Sequence, residues 1–99
     1  MGMLYYDHSG PGVLIDDRTL AHLKVVIVTK MRRGESFTLG WEHPDEHGRT
    51  TIWIHPSIPV RFTFDEPQRG ELNQEWIKQM ADSAIGTRGI FLSKEHIEA

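Results

Sequence analysis

Residues 16–34 read DDRTLAHLKVVIVTKMRRG, and the fold turns on whether this stretch is a helix or a strand. The run Val25-Val26-Ile27-Val28 suits a buried strand. Everything around it suits a helix. Asp16 or Asp17 offers an N-cap, with two carboxylates at the positive end of the helix dipole. Leu20, Leu23, Ile27 and Met31 recur at spacings of three and four. Gly34 is a natural first residue beyond a helix, and Lys30, Arg32 and Arg33 suit its negative end. Because both ends and the apolar stripe agree, the segment is predicted to be helical.

Working outward, Met3-Leu4-Tyr5-Tyr6 and Val13-Leu14-Ile15 read as short strands joined through the turn signal Ser9-Gly10-Pro11-Gly12. After the helix, residues 36–43 and 50–55 alternate as a second hairpin. Setting Trp41 opposite Ile52 puts Phe37, Leu39 and Trp41 on one face with Ile52 and Ile54. Trp53 then covers Gly40 on the other face, and His55 lies near Thr38. Pro56 and Pro59 interrupt the ladder. Val60, Phe62 and Phe64 alternate with Arg61 and Thr63 as a further strand. Leu72, Trp76, Ile77, Met80 and Ala84 mark a second amphipathic helix ending at Gly86, with Glu71 and Glu75 in its first turns. Gly89-Ile90-Phe91-Leu92 is a last short strand, and the tail from Lys94 is expected to fray. The order β-β-α-β-β-β-α-β predicts a single α+β domain over residues 1–99. Its expected form is an antiparallel-rich sheet with both helices packed on one face.

Composition narrows the function classes. With no cysteine, disulfides, thiolate catalysis and Cys-based zinc or iron–sulfur sites are excluded. The first residues lack the basic and apolar regions of a signal peptide, and the longest apolar run is residues 25–28. A cytoplasmic location with no membrane partner is the expectation.

Charge gives the sharpest hint. Between Arg18 and Gly34 lie five cations and no carboxylate, in a chain whose formal charge is −3. Three of them, Lys30, Arg32 and Arg33, gather at the predicted helix end, where Arg49 from a later loop could join them. That set could hold a phosphate or nucleic acid. It is also what a helix C-terminus carries for its own dipole and solubility.

Histidines offer weaker chemistry. His43 and His47 flank Pro44-Asp45-Glu46, a set that could hold a divalent metal, although the spacing is not that of a helical zinc motif. His55 lies at the other end of the hairpin and cannot easily share such an ion. No serine sits in G-x-S-x-G, and no phosphate-binding glycine motif is present. No catalytic residue is assigned and no cofactor is expected. Among the aromatics, Trp41 and Trp76 fall on apolar stripes and belong in the core. Trp53, Tyr5 and Tyr6 are the candidates for an exposed face. Such a face could stack bases, or it could be covered by a second copy of the chain in a homodimer.

The segments DRTLAHLK (17–24), RRGESFTL (32–39) and TIWIHPSIP (51–59), continuing into ELN (71–73) and WI (76–77), cover nearly the whole chain. They resemble a family of short bacterial proteins often labelled "ATP-dependent DNA ligase". The resemblance implies an association with DNA. Ligase chemistry forms a lysyl–AMP on K-x-D-G, and no lysine here begins that motif: Lys24, Lys30, Lys78 and Lys94 are followed by VVI, MRR, QMA and EHI. Ninety-nine residues also leave no room for a nucleotidyltransferase domain plus an OB-fold. The label therefore transfers no catalytic residue. The leading expectation is a non-catalytic binding or accessory module, with DNA association as its finer form. One alternative is a small metal- or histidine-dependent enzyme built on the loop between His43 and His47. Another is a structural homodimeric subunit.

Overall fold

A computed structural model describes residues 1–7, 10–45, 47–67 and 70–98. Ser9 of the predicted turn and Glu46 of the predicted histidine loop lie outside the described residues. The opening stretch is helical, as predicted: α1 spans Asp17–Arg32. Asp16 caps it, accepting the Thr19 amide at 2.8 Å. At the other end Gly34 has φ +72. Its N–H donates to the Met31 carbonyl, and the Glu35 N–H donates to that of Lys30. These two bonds form a Schellman end, satisfying carbonyls the helix would otherwise leave open. Tertiary burial then overrides the β-branched run. Leu20, Leu23 and Ile27 are fully buried, with Val26 beside them and Met31 partly covered.

The predicted order of elements holds. Strands β1 (Gly2–Tyr6) and β2 (Val13–Ile15) precede α1. Then follow β3 (Phe37–Glu42), β4 (Arg49–Ile54) and β5 (Val60–Thr63). Helix α2 (Gln74–Ile85) and β6 (Ile90–Leu92) come next. The strands divide between two sheets, where one was expected. The first runs β5-β1-β2-β7, where β7 is Ile97–Glu98, and the second β4-β3-β6. Every pairing is antiparallel except β3 with β6, between which the chain runs through β4, β5 and α2. The helices pack on each other; α1 touches β1, and α2 touches β3 and β6. Between these layers lies one core that includes Leu4, Ile15, Leu39, Ile54, Met80 and Ile90.

Three further expectations are corrected. The β3–β4 hairpin pairs Leu39 with Ile52 and Thr38 with Trp53, two residues from the predicted register. A slip of two preserves which face each side chain takes, so the apolar pattern could not distinguish the alternatives. The tail does not fray. Residues Lys94–His96 make a 3-10 turn, and β7 (Ile97–Glu98) pairs with β2. Ile97 is buried in the core, and the His96 carbonyl accepts the Asp16 amide at 3.0 Å. Glu71 precedes α2 rather than lying in it, since the N-cap is Asn73.

Candidate functional site: an aromatic face on the second sheet

Strand alternation builds this face. On β3, Phe37, Leu39 and Trp41 point into the core, and on β4 Ile54 does the same. The opposite face receives Thr38, Gly40 and Glu42 from β3, and Arg49, Thr51 and Trp53 from β4. On β6, Ile90 and Leu92 are buried, so Phe91 projects outward. Trp53 is 53% exposed and Phe91 48%. Helix α2 touches this sheet at β3 and β6, and its own buried residues are Met80 and Ala84.

The two aromatics stand on the outer strands, with Thr38 and Gly40 between them. Two strand spacings separate them laterally, about 10 Å. Phe91 pairs with Gly40 across the parallel ladder. A Cβ at Gly40 would lie 3.1 Å from the Phe91 ring and 3.2 Å from the Thr50 carbonyl. An aromatic therefore does cover Gly40, as the sequence suggested, but it is Phe91 rather than Trp53. Nothing in the sequence marks Phe91 as a surface residue, because Ile90, Phe91 and Leu92 are all apolar and only the placement of the strand turns the middle one outward.

The other predicted stacking residues lie apart from this face. Tyr6 donates its hydroxyl proton to the Trp53 carbonyl, tying the end of β4 to the first sheet. Burial pushes the Tyr6 phenol above its ordinary value, and Asp7 adds to the rise. Tyr5 belongs to the outer side of β1, where the Arg61 guanidinium sits 4.3 Å from its ring centroid.

The five cations of the α1 segment do not form one surface. Arg18 donates to the Glu71 carbonyl at 3.1 Å and lies 6.0 Å from the Trp76 ring. Lys24 sits 5.8 Å from the Phe64 ring. Lys30 is only 8% exposed and pairs with Glu35 at 3.4 Å. Arg32 and Arg33 are exposed. Arg49 does not join them. It pairs with Glu42, five residues along β3 from Phe37, which follows the helix end, a separation of about 17 Å. Arg49 instead shares the outer face with Trp53.

Histidines serve structural roles. His22 is buried, with Nδ1 2.7 Å from the Arg18 carbonyl and Nε2 accepting the Asn73 amide at 2.8 Å. A carbonyl can only accept and an amide N–H only donate, so the proton is on Nδ1 and both nitrogens are committed. His96 Nδ1 lies 2.8 Å from the Thr19 hydroxyl and 3.2 Å from Asp16. The Thr19 hydroxyl donates to Asp16 at 2.6 Å. These residue types resemble a catalytic triad, but the connectivity does not. In a triad, opposite nitrogens of the imidazole face the nucleophile and the acid. Here one nitrogen faces both, and the Thr19 proton already points at the carboxylate. The trio is an extended N-cap for α1. His43 Nε2 bonds the Thr50 hydroxyl at 2.7 Å, and His47 is exposed. Among the described residues no three His, Asp or Glu side chains converge to hold a metal ion.

The structure thus defines an α+β domain that exposes two aromatics on one sheet face, with the imidazoles of His22, His43, His55 and His96 in hydrogen bonds. Residues 1–95 match the family described as Domain of unknown function (DUF7882), and the chain belongs to that family. Nothing in that description links the family to a DNA ligase label. No curated protein and no solved structure matches the chain. No helix among the described residues is long and apolar enough to cross a membrane.

Proposed function

We propose that this protein is a non-catalytic binding module whose working surface is the outer face of the β4-β3-β6 sheet, and that a second copy of the chain covers it. The observation that carries this reading is the exposure of Trp53 and Phe91 together on one face of the sheet. Two large aromatics left in water on a rigid sheet are a feature of interfaces, where they supply contact area with little loss of conformational freedom. A twofold arrangement lets the same patch meet itself. Light scattering across a concentration series tests it directly. A dimer is expected, with Trp53→Asp or Phe91→Ser giving a folded monomer. A wild-type monomer at high concentration, with Trp53 freely quenched by acrylamide, overturns the reading.

A DNA-associated form of this module has one specific observation behind it. Arg49 stands on the same face as Trp53, four residues back along β4. An exposed aromatic beside a cation suits single-stranded nucleic acid, whose bases stack while phosphates meet the charge. Arg32 and Arg33 would be secondary contacts. Binding of a labelled single strand should then fall steeply with salt, and Arg49→Ala should flatten that slope. No measurable affinity at low salt disposes of the DNA form and leaves the self-association reading standing.

A further inference from the structure

We propose that the groove between α2 and the free edge of β6 binds an extended peptide segment of another protein as an added β-strand, the segment carrying a lysine or arginine ahead of alternating apolar residues. The site adjoins the aromatic face but needs neither self-association nor Trp53. Strand β6 ends its sheet: β3 pairs with one side of it, and no described strand pairs with the other. Along such an edge the outward-pointing backbone N–H and C=O groups lack ladder partners and can pair with another chain. Edges are ordinarily blunted by charge or proline, and Ile90-Phe91-Leu92 carries neither.

One side of a helix faces this edge. Trp76, Gln79, Met80 and Ser83 follow the spacing of three and four that aligns side chains along α2. They line a groove of about 290 Å³ whose other wall is residues 90–93. Met80 is buried and Trp76 half-buried, while Gln79 and Ser83 are exposed at the rim. A strand laid between a sheet edge and a helix takes affinity from main-chain bonds and specificity from alternate side chains. Three residues of β6 span about 10 Å, so the site reads about three residues of its partner.

Charge sets the partner's chemistry and register. Trp41 pairs with Leu92, so Glu42, which also lines the groove, stands level with Ser93 at the end of β6. Glu42 is half-buried and forms no ion pair with a described residue, its cross-strand neighbour Arg49 included. No described lysine or arginine lines the groove. At the same end His96 is held by Asp16 and lies 3.6 Å from Glu95. An added strand stands two strand spacings from β3, about 10 Å, a gap that a lysine and a glutamate side chain span together. Antiparallel addition, the more stable pairing, places the basic residue first, opposite Ser93. The next residue then turns toward Met80 and Trp76. An acidic residue in the first position would be repelled.

The test is an NMR titration of the full chain with the peptide acetyl-Lys-Val-Thr-Val-amide. Saturable shifts at residues 90–93 and along the Trp76–Ser83 side of α2 are expected. Glutamate in place of the peptide lysine should weaken binding about tenfold or more, as should Glu42→Gln in the protein. N-methylation of the peptide's valine and threonine amides keeps every side chain but removes the main-chain donors, and should abolish binding. The Trp53→Asp variant should bind the peptide with unchanged affinity, which separates the groove from self-association. Absence of saturable binding at millimolar peptide overturns the proposal. So does equal binding of the N-methylated peptide or of the glutamate peptide.

Discussion

His22 in α1 accepts the backbone N–H of Asn73 at 2.8 Å, across 51 residues of sequence. Asn73 is the residue whose side chain caps α2, taking the Trp76 amide at 3.1 Å. One buried imidazole in the first helix thus fixes where the second begins, and its ring lies 4.4 Å from that of Trp76. Replacing His22 with Leu keeps the volume but leaves the Asn73 amide without its partner, while the Arg18 carbonyl loses its second bond and keeps the helical one from the residue-22 amide. We expect a loss of about 1–3 kcal/mol in urea denaturation, the cost of one unsatisfied amide at a packed helix junction. Amide exchange should rise first at residues 73–77.

Asp16 sets the acid limit of stability at this end of α1. Burial raises its pKa, but the bonds from the Thr19 hydroxyl and amide and from His96 outweigh burial and leave it below the ordinary 3.8. A depressed carboxylate contributes stability that is fully present above its unfolded pKa and is lost as pH falls through the folded one. Unfolding free energy should therefore drop as pH descends below about 4. In Asp16→Ala that part of the drop should vanish, with about 1 kcal/mol already lost at pH 7 from the missing cap. An unchanged acid profile in the variant would contradict the assignment.

The three cations at the end of α1 should separate experimentally. Lys30 is packed, so Lys30→Glu buries a carboxylate without its cation and sets it beside the exposed Glu35, and should cost about 2 kcal/mol or more. Arg32 and Arg33 are exposed and have no ion pair among the described residues, so Arg32→Ala and Arg33→Ala should stay within about 0.5 kcal/mol of wild type. Thermal denaturation of the three variants checks this. If Lys30→Glu proves as mild as the two arginine changes, the burial of that ammonium is wrong.

Gly34 and Gly89 share a left-handed backbone but not a neighbourhood, with φ of +72 and +67. A Cβ at Gly34 meets nothing within 4 Å, whereas at Gly89 it would overlap the Thr38 side chain and carbonyl. Gly34→Ala should cost about 1 kcal/mol, the backbone penalty alone. Gly89→Ala should cost several times more, because β6 must move away from β3 to make room. Comparing the two midpoints in urea separates conformational strain from steric exclusion.

Much of this fold is legible in the sequence because local signals agree. Asp16, Gly34 and the Leu20–Leu23–Ile27 spacing together place α1. The alternation through Phe37, Leu39 and Trp41 identifies which face of the second sheet is buried. What local patterns cannot supply is pairing over distance. The hairpin register slipped by two because a period of two is blind to that slip. The parallel partnership of β3 and β6 depends on where α2 deposits the chain. Ile97 carries too short an apolar signal to announce a strand, yet Ile97→Ala should lose about 2–4 kcal/mol. The candidate sites follow the same rule. Exposed Trp53 could be read from alternation, but its companionship with Phe91 and Arg49 needed the sheet order. The placing of Glu42 at the groove between α2 and β6, and the bonds that occupy His22 and His96, join segments far apart in sequence.

Strand β7 and the His96–Asp16 contact give the molecule a clock. The first helix is capped, and the first sheet completed, by residues 80 positions later in the chain. During synthesis α1 and β2 must wait for them, with the edge of β2 open and the helix start only partly tied. Long-range closure of this kind is a late event in folding, because a large loop must be ordered before the contact rewards it. The interval before residue 97 emerges is when a nascent chain has most to gain from a chaperone, and when its exposed strand edge is most prone to pair with a neighbour's.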